Sequence, residues 1–182
     1  MAVTLIWVKP MIRIRTAIIE DAPTLAAAEI ETTQTTGFLV SRPNELGVQV
    51  FATRIVELES PGLRGRYIVA LDGYRIVGHA LLDPMPLARV SHVFRLTIVA
   101  HPGHTNQGVG RAMMNDLLAW ATREPRVEKI ELFVRATNAR AIHLYRSCGF
   151  IEEGRFVKRV KLDDGTYVDD VAMAWFSPAK AL

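Results

Sequence analysis

The stretch from Leu96 to Ala121, LTIVAHPGHTNQGVGRAMMNDLLAWA, constrains the fold more than any other part of the chain. It opens with the β-branched residues Thr97, Ile98 and Val99, which predict a buried strand. It then crosses a loop bearing Pro102 and Gly103 and becomes a helix whose first turn carries Gly108 and Gly110. A strand, a glycine turn and a helix N-terminus in that order make an anion site. Backbone N–H groups converge there, the helix dipole adds partial positive charge, and glycine lets a phosphate approach the main chain. The expectation is a loop that holds a pyrophosphate.

With 182 residues the chain is long enough for one sizeable core. The expected layout is an N-terminal extension over 1–10, a single domain over 11–177 and a short tail over 178–182. A charged fraction of 23% against 49% hydrophobic residues excludes a mostly disordered chain. The formal charge is only +3, and Arg13, Arg15, Arg64, Arg66, Arg155, Lys158, Arg159 and Lys161 form no block, so nucleic-acid binding is not expected. The single cysteine, Cys148, excludes an internal disulfide and a cysteine-rich metal site and points to the reducing cytoplasm. No apolar run approaches the roughly 20 residues that span a bilayer. The opening MAVTLIWV lacks the basic region and cleavage site of a signal peptide, and Met11 could be an alternative start.

Along the chain, Ile12–Ala17 alternates as a half-exposed strand does. Asp21 and Pro23 predict a helix start, with Leu25, Ala28 and Ile30 on its apolar side. Glu31–Phe38 is polar and β-branched and reads as a loop. A second helix is expected from Pro43 and Asn44 to Leu58, with Val48, Phe51, Ile55 and Leu58 inward and Ser60-Pro61-Gly62 closing it. Asp72-Gly73 between two β-rich runs predicts a hairpin turn. A fourth strand over about Ser91–Val99 leads into the glycine loop and a helix to about Thr122, with Met113, Leu117, Leu118 and Ala121 inward. A strand over Glu128–Ala136 and a helix capped by Asn138 and stopped at Gly149 follow. Two last strands, about Ile151–Leu162 and Tyr167–Phe176, flank a turn at Asp164-Gly165. The order β-α-α-β-β-β-α-β-α-β-β is a mixed α/β layering, not a dinucleotide fold.

Two motifs carry a resemblance to the GCN5-related N-acetyltransferases, the GNAT superfamily. The first is Pro102-Gly103-His104-Thr105-Asn106-Gln107-Gly108-Val109-Gly110; the second is Asn138-x-x-Ala141-x-x-x-Tyr145-x-x-x-Gly149-Phe150. Thr105 stands where the family usually has Arg or Gln, which removes a side-chain contact from a cradle built mainly of backbone N–H groups. The resemblance implies the GNAT fold: α/β (α+β), a mixed, mostly antiparallel twisted sheet of about seven strands, about four flanking helices, and a splay between strands four and five. It implies transfer of an acetyl group from acetyl-CoA, without a metal, to an amine. The pyrophosphate would meet the main chain of Asn106, Gln107, Gly108, Val109, Gly110 and Arg111. Pantetheine would pair with the backbone of Ile98, Val99 and Ala100, and Asn138 and Tyr145 would also touch the cofactor.

The tail, Glu153-Gly154-Arg155 with Asp164-Gly165-x-Tyr167-x-Asp169 and Met173, is similar to the branch that holds small-molecule, ribosomal-protein and polyamine acetyltransferases. Ser91-His92-Val93 is most similar to its amino-acid acetyltransferases. An amine attacks only when neutral, so the reaction needs a base. His92 is the first candidate and His79 a weaker one; His101 and His104 fit surface or cofactor contacts better. A backbone N–H near Val99 or Ala100 would stabilise the oxyanion, and Tyr145 would protonate the leaving thiolate. Phe133 stands where the ribosomal-alanine type has Glu. Glu29, Glu31 and Glu45 border the first helices as minor amine-binding candidates, while His143 and Cys148 read as structural. The expected partners are acetyl-CoA and a small amine, with no membrane or nucleic acid and with a homodimer as relatives often form. The alternatives are a protein N-terminal or polyamine acetyltransferase and, outside enzymes, an acyl-CoA-binding sensor.

Overall fold

A computed structural model describes residues 11–35, 39–60 and 65–178. In chain order these form β1 (Arg13–Thr16), α1 (Ala22–Thr33), α2 (Val48–Glu59), β2 (Arg66–Asp72), β3 (Arg75–Pro84), β4 (Val93–Ala100), α3 (Val109–Arg123), β5 (Lys129–Arg135), α4 (Ala139–Ser147), β6 (Ile151–Lys161) and β7 (Tyr167–Phe176). The seven strands form one sheet in the order β1-β2-β3-β4-β5-β7-β6. Every pairing is antiparallel except β4 with β5. This is the expected mixed sheet with four helices.

Side-chain alternation builds a core on each face of the sheet. On β2, Ile68 and Ala70 point towards α3, where they join Val77, Leu82, Phe94, Leu96, Met113, Met114 and Leu117. Tyr67 and Val69 point the other way and pack with Leu25, Phe51, Ile55 and Leu58 of α1 and α2. Gly78 brings α3 close to β3: a Cβ there would lie 2.7 Å from Val109 Cγ1 and 3.1 Å from the Val99 carbonyl oxygen.

Several local expectations are corrected. Glu31–Thr33 are helical, not loop, because Thr32 and Thr33 donate their hydroxyls back to the Ala28 and Ile30 carbonyls and so extend the helix. Thr36–Phe38, the rest of that expected loop, lie outside the described residues, as do residues 1–10, 61–64 and 179–182. Ile30 is exposed, one step off the apolar face. Asp21 sits at the N-cap of α1, but its carboxylate accepts from Arg15 and the Ile18 N–H. Pro43–Glu45 form a separate 3-10 turn, since Gly47 is extended (ψ 150°) and α2 starts only at Val48, which is exposed. In the hairpin, Asp72 pairs with Arg75, so Gly73 (φ +60°) and Tyr74 make the two-residue loop. None of the described helices is long and apolar enough to cross a membrane.

Candidate active site

The site starts from a mismatch between two strands. β4 and β5 pair only at Val93–Lys129, Phe94–Ile130 and Arg95–Glu131, although β4 continues to Ala100 and β5 to Arg135. Beyond Arg95 the two strands part. On the other edge β4 stays paired with β3 through Ala100, and the His101 N–H donates to the Val77 carbonyl at 2.9 Å. In an antiparallel ladder alternate residues face the partner strand. Val93, Thr97, Val99 and His101 therefore turn their N–H and C=O groups towards β3. Ile98 and Ala100 turn theirs into the opening. Of the three residues expected to pair with pantetheine, Ile98 and Ala100 present free main-chain groups there, whereas Val99 uses its own in the ladder. Of the two residues named as oxyanion donors, only Ala100 turns its N–H towards the opening.

At the end of β4 the chain turns through His101–Gly108 into α3. Gly103 (φ +79°), Asn106 (φ +62°) and Gly108 (φ +85°) all take left-handed backbone. Left-handed residues in a loop re-aim the N–H groups beside them, a feature of backbone anion sites. The Gln107 side chain donates to the Gly103 carbonyl at 2.9 Å and closes the loop. Gly108 is the N-cap of α3, with no side-chain cap, so the first N–H groups of the helix have no intrahelical partner. The buried Nδ1 atom of His104 has no hydrogen-bond partner among the described residues. Orphan donors, a helix dipole and an unpartnered imidazole nitrogen fit a phosphate-bearing ligand. Arg111 leaves only its main chain for such a ligand, because its guanidinium reaches Cys148 Sγ (3.1 Å) and the Ser147 hydroxyl on α4.

The second motif lies across the opening. The Asn138 side chain accepts from the Ala141 N–H at 3.1 Å and caps α4, as expected. Tyr145, about two helical turns further on, is 8% exposed and its ring centroid lies 5.9 Å from that of Phe150. Its phenol is pushed well above its ordinary pKa by burial and then by Cys148, so it keeps its proton. Tyr145, Ile98 and Ala100 belong to one apolar cluster.

His92 stands apart from this group. It is exposed in the turn before β4, where its carbonyl accepts from the Glu128 and Lys129 N–H groups. Roughly 25 Å of strand separates it from the glycine loop.

Two constellations on the α1/α2 side escaped the sequence reading. One is a hydrogen-bonded line of Glu29, His79 and His101. The other is Arg95 with Glu131 (3.0 Å), where the Arg95 guanidinium also lies 5.5 Å over the Phe133 ring. Alternation of apolar and polar residues marked these positions as one face, but only the strand register brings them together. The remaining acidic candidates do not gather: Glu45 accepts from the Arg42 N–H in its own turn, and Glu31 is exposed on α1. No metal-binding cluster occurs among the described residues.

Comparisons with known proteins bear on the family and the fold. Residues 28–150, more than half of the chain, match the family described as "Acetyltransferase (GNAT) family". The chain is 35% identical over 116 residues to the L-amino acid N-acetyltransferase AaaT of Escherichia coli, covering 64% of this chain and 70% of that protein. It is 32% identical over 92 residues to the spermidine N(1)-acetyltransferase of Vibrio cholerae, covering 49% of this chain and 53% of that protein. Its fold matches the crystal structure of a phosphinothricin acetyltransferase from Sinorhizobium meliloti in complex with acetyl-CoA, with a TM-score of 0.83, 18% identity, and coverage of 94% of this chain and 91% of that one. The chain belongs to the acetyltransferase (GNAT) family and is an acetyl-CoA-dependent N-acetyltransferase.

Proposed function

We propose that the acceptor is the primary amine of a small zwitterion, an amino acid or analogue, which attacks directly in a ternary complex. The observation that carries this reading is the Arg95–Glu131 pair on the sheet face beside the strand opening, half-exposed over Phe133. It offers a guanidinium to a carboxylate and a carboxylate to an ammonium, and the aromatic ring gives a side chain an apolar surface. A polyamine would need a purely acidic wall. Here Glu29 is occupied by His79 and Glu45 by its own turn, and Glu131 stands beside the Arg95 guanidinium, which repels a polycation. The similarity to an L-amino acid N-acetyltransferase supports the same choice.

Acetyl-CoA supplies the electrophilic thioester carbonyl. The main chain of Asn106–Arg111 would hold its pyrophosphate, and the free groups of Ile98 and Ala100 its pantetheine arm. The Ala100 N–H would take charge that develops on an oxygen beside it, and Tyr145 would hold the proton needed by a departing thiolate. His92, expected as the base, lies at the far end of β4 from the Ile98 and Ala100 opening and is not assigned that role. The reducing cytoplasm suits a chain with one cysteine.

Release of free thiol from acetyl-CoA, measured across amino acids, amino-acid analogues, polyamines and an N-terminal peptide, tests the acceptor. Turnover with amino acids or analogues is expected. A preference for spermidine or the peptide would overturn the reading, and no turnover at all despite CoA binding would place the acceptor outside these classes and overturn it as well.

A further inference from the structure

Phe133 on β5 and Phe156 on β6 stand on the sheet face that carries the Arg95–Glu131 pair. Ile130, Leu132 and Val134 enter the core with α3, so Glu131 and Phe133 point to the other side of β5. Arg135 pairs with Asp170 of β7, and Asp170 with Phe156, which puts Phe156 on that side too. The two rings pack edge to face, with centroids 5.4 Å apart and planes at 81°. Both are partly open to solvent, Phe133 at 36% and Phe156 at 47%. Helices α1 and α2 pack on β2, at the other end of this face. Adjacent exposed aromatic rings mark a binding surface.

The rings lie where a side chain of the acceptor would fall. β5 keeps β4 as far as Glu131 opposite Arg95, so Phe133, two residues on, is about 7 Å past the last rung and borders the opening. An amino acid with its carboxylate on Arg95 and its amine turned into the opening lays its side chain over Phe133 towards β6. Ala172 and then Gly154 stand beside Phe133 across β7 and β6, and a Cβ at Gly154 would meet nothing within 4 Å, so there is room for another ring. The charges around the pair sort the candidates. The Arg95 guanidinium lies 5.5 Å from the centre of the Phe133 ring, and that of Arg159 lies 5.9 Å from the centre of the Phe156 ring. A cationic side chain would meet both guanidinium groups, and an anionic one would lose water against the negative faces of two rings. An aliphatic chain would gain only buried area, whereas a ring extends the edge-to-face packing already present.

We propose that Phe133 and Phe156 form the side-chain subsite of the acceptor and select an amino acid with an aromatic side chain. The edge strand β6 thereby belongs to the acceptor site, although β7 separates it from β5 in the sheet. The subsite rests on the reading of Arg95 and Glu131 as the groups that hold the acceptor's carboxylate and amine.

The test is thiol release from acetyl-CoA with phenylalanine, leucine, alanine, glutamate, lysine and spermidine as acceptors, read as kcat/KM. Phenylalanine should exceed alanine by at least about tenfold, the scale of burying its ring. It should exceed leucine by about threefold, the scale of an added aromatic contact. Phe156→Ala should cut the phenylalanine-to-alanine ratio by about fivefold, mainly through KM. Gly154→Leu, which fills the free space at a residue whose φ is not left-handed, should cut the ratio as well. The ratio does not depend on how much of a variant is folded. A wild-type enzyme that uses alanine, leucine, glutamate or lysine as well as phenylalanine, or either variant with the wild-type ratio, would overturn the subsite and leave the amino-acid acceptor in place. A preference for spermidine, or no turnover of any amino acid, would overturn the acceptor reading and the subsite with it.

Discussion

At the scale of single residues, the site divides into groups that donate and groups that stay neutral. Tyr145 keeps its proton at neutral pH because burial holds its phenol well above its ordinary pKa. Tyr145→Phe should lower kcat by about a hundredfold, the low end for a lost general acid, with CoA affinity nearly unchanged. Steady-state rates with parallel CoA calorimetry check this, and an undiminished kcat would remove Tyr145 from the chemistry. His92→Ala should leave the acidic limb of the pH–rate profile unchanged, because His92 lies at the far end of β4 from the opening, and a flattened limb would show it to be the base after all.

His101 makes a stability prediction. Its pKa falls from 6.5 to about 4 on folding, mainly through burial. Between these values the unfolded chain binds a proton that the native protein refuses, so stability falls as the pH drops from 6.5 towards 4. The whole effect is at most about 3 kcal/mol. His101→Asn should remove that share of the slope, read as the difference between wild-type and variant urea midpoints across the window. Tyr145 and Asn138 were legible in the sequence because a short motif on one helix fixes both. The Glu29–His79–His101 line was not, because its members lie 50 and 22 positions apart and meet only through the packing of α1 on β3 and the register of β3 with β4.

At the scale of elements, three glycines that look alike in the sequence do different work. Gly108 has open space around an added Cβ but holds φ at +85°, so alanine there costs backbone strain of about 1–2 kcal/mol. Gly110 has ordinary helical backbone, and its added Cβ would lie 3.0 Å from Leu144 Cδ2, the movable end of a side chain. The gain in helix propensity, about 1 kcal/mol, offsets that contact. Gly78 would place its Cβ against Val109 and the Val99 carbonyl oxygen together, and a ladder oxygen cannot yield. The expected order of destabilisation is Gly78→Ala, then Gly108→Ala, then Gly110→Ala. Equilibrium urea unfolding gives that order directly; a Gly110→Ala variant less stable than the other two would refute the argument.

Element types were legible throughout, since period and turn chemistry are local signals. Ends were less so. Thr32 and Thr33 read as loop formers, and only their hydroxyl bonds back into the helix show why α1 continues. Asp72-Gly73 correctly marked a hairpin, but the pairing of Asp72 with Arg75 moved the loop one residue on.

At the scale of the whole molecule, the decisive feature is that two adjacent parallel strands separate after three rungs while each stays fully paired on its other side. β4 is held by β3 through Ala100, and β5 by β7 through Arg135. The opening is therefore rigid on both walls, and an extended ligand can enter it as an added strand. Amide exchange should read this pattern residue by residue. Thr97 and Val99 donate into the β3 ladder and should exchange slowly whether or not CoA is present. Ile98 and Ala100, in the same strand, face the opening and should exchange fast in the free protein. Saturating CoA should slow Ile98 and Ala100 selectively, together with the main-chain amides of Asn106–Arg111, and leave β1 and β2 unchanged. Equal protection of all four β4 amides in the free protein would mean that the strands do not part in solution. Fast exchange at Ile98 and Ala100 that CoA does not slow would place the pantetheine arm elsewhere, leaving the glycine loop as an anion site separate from the strand opening.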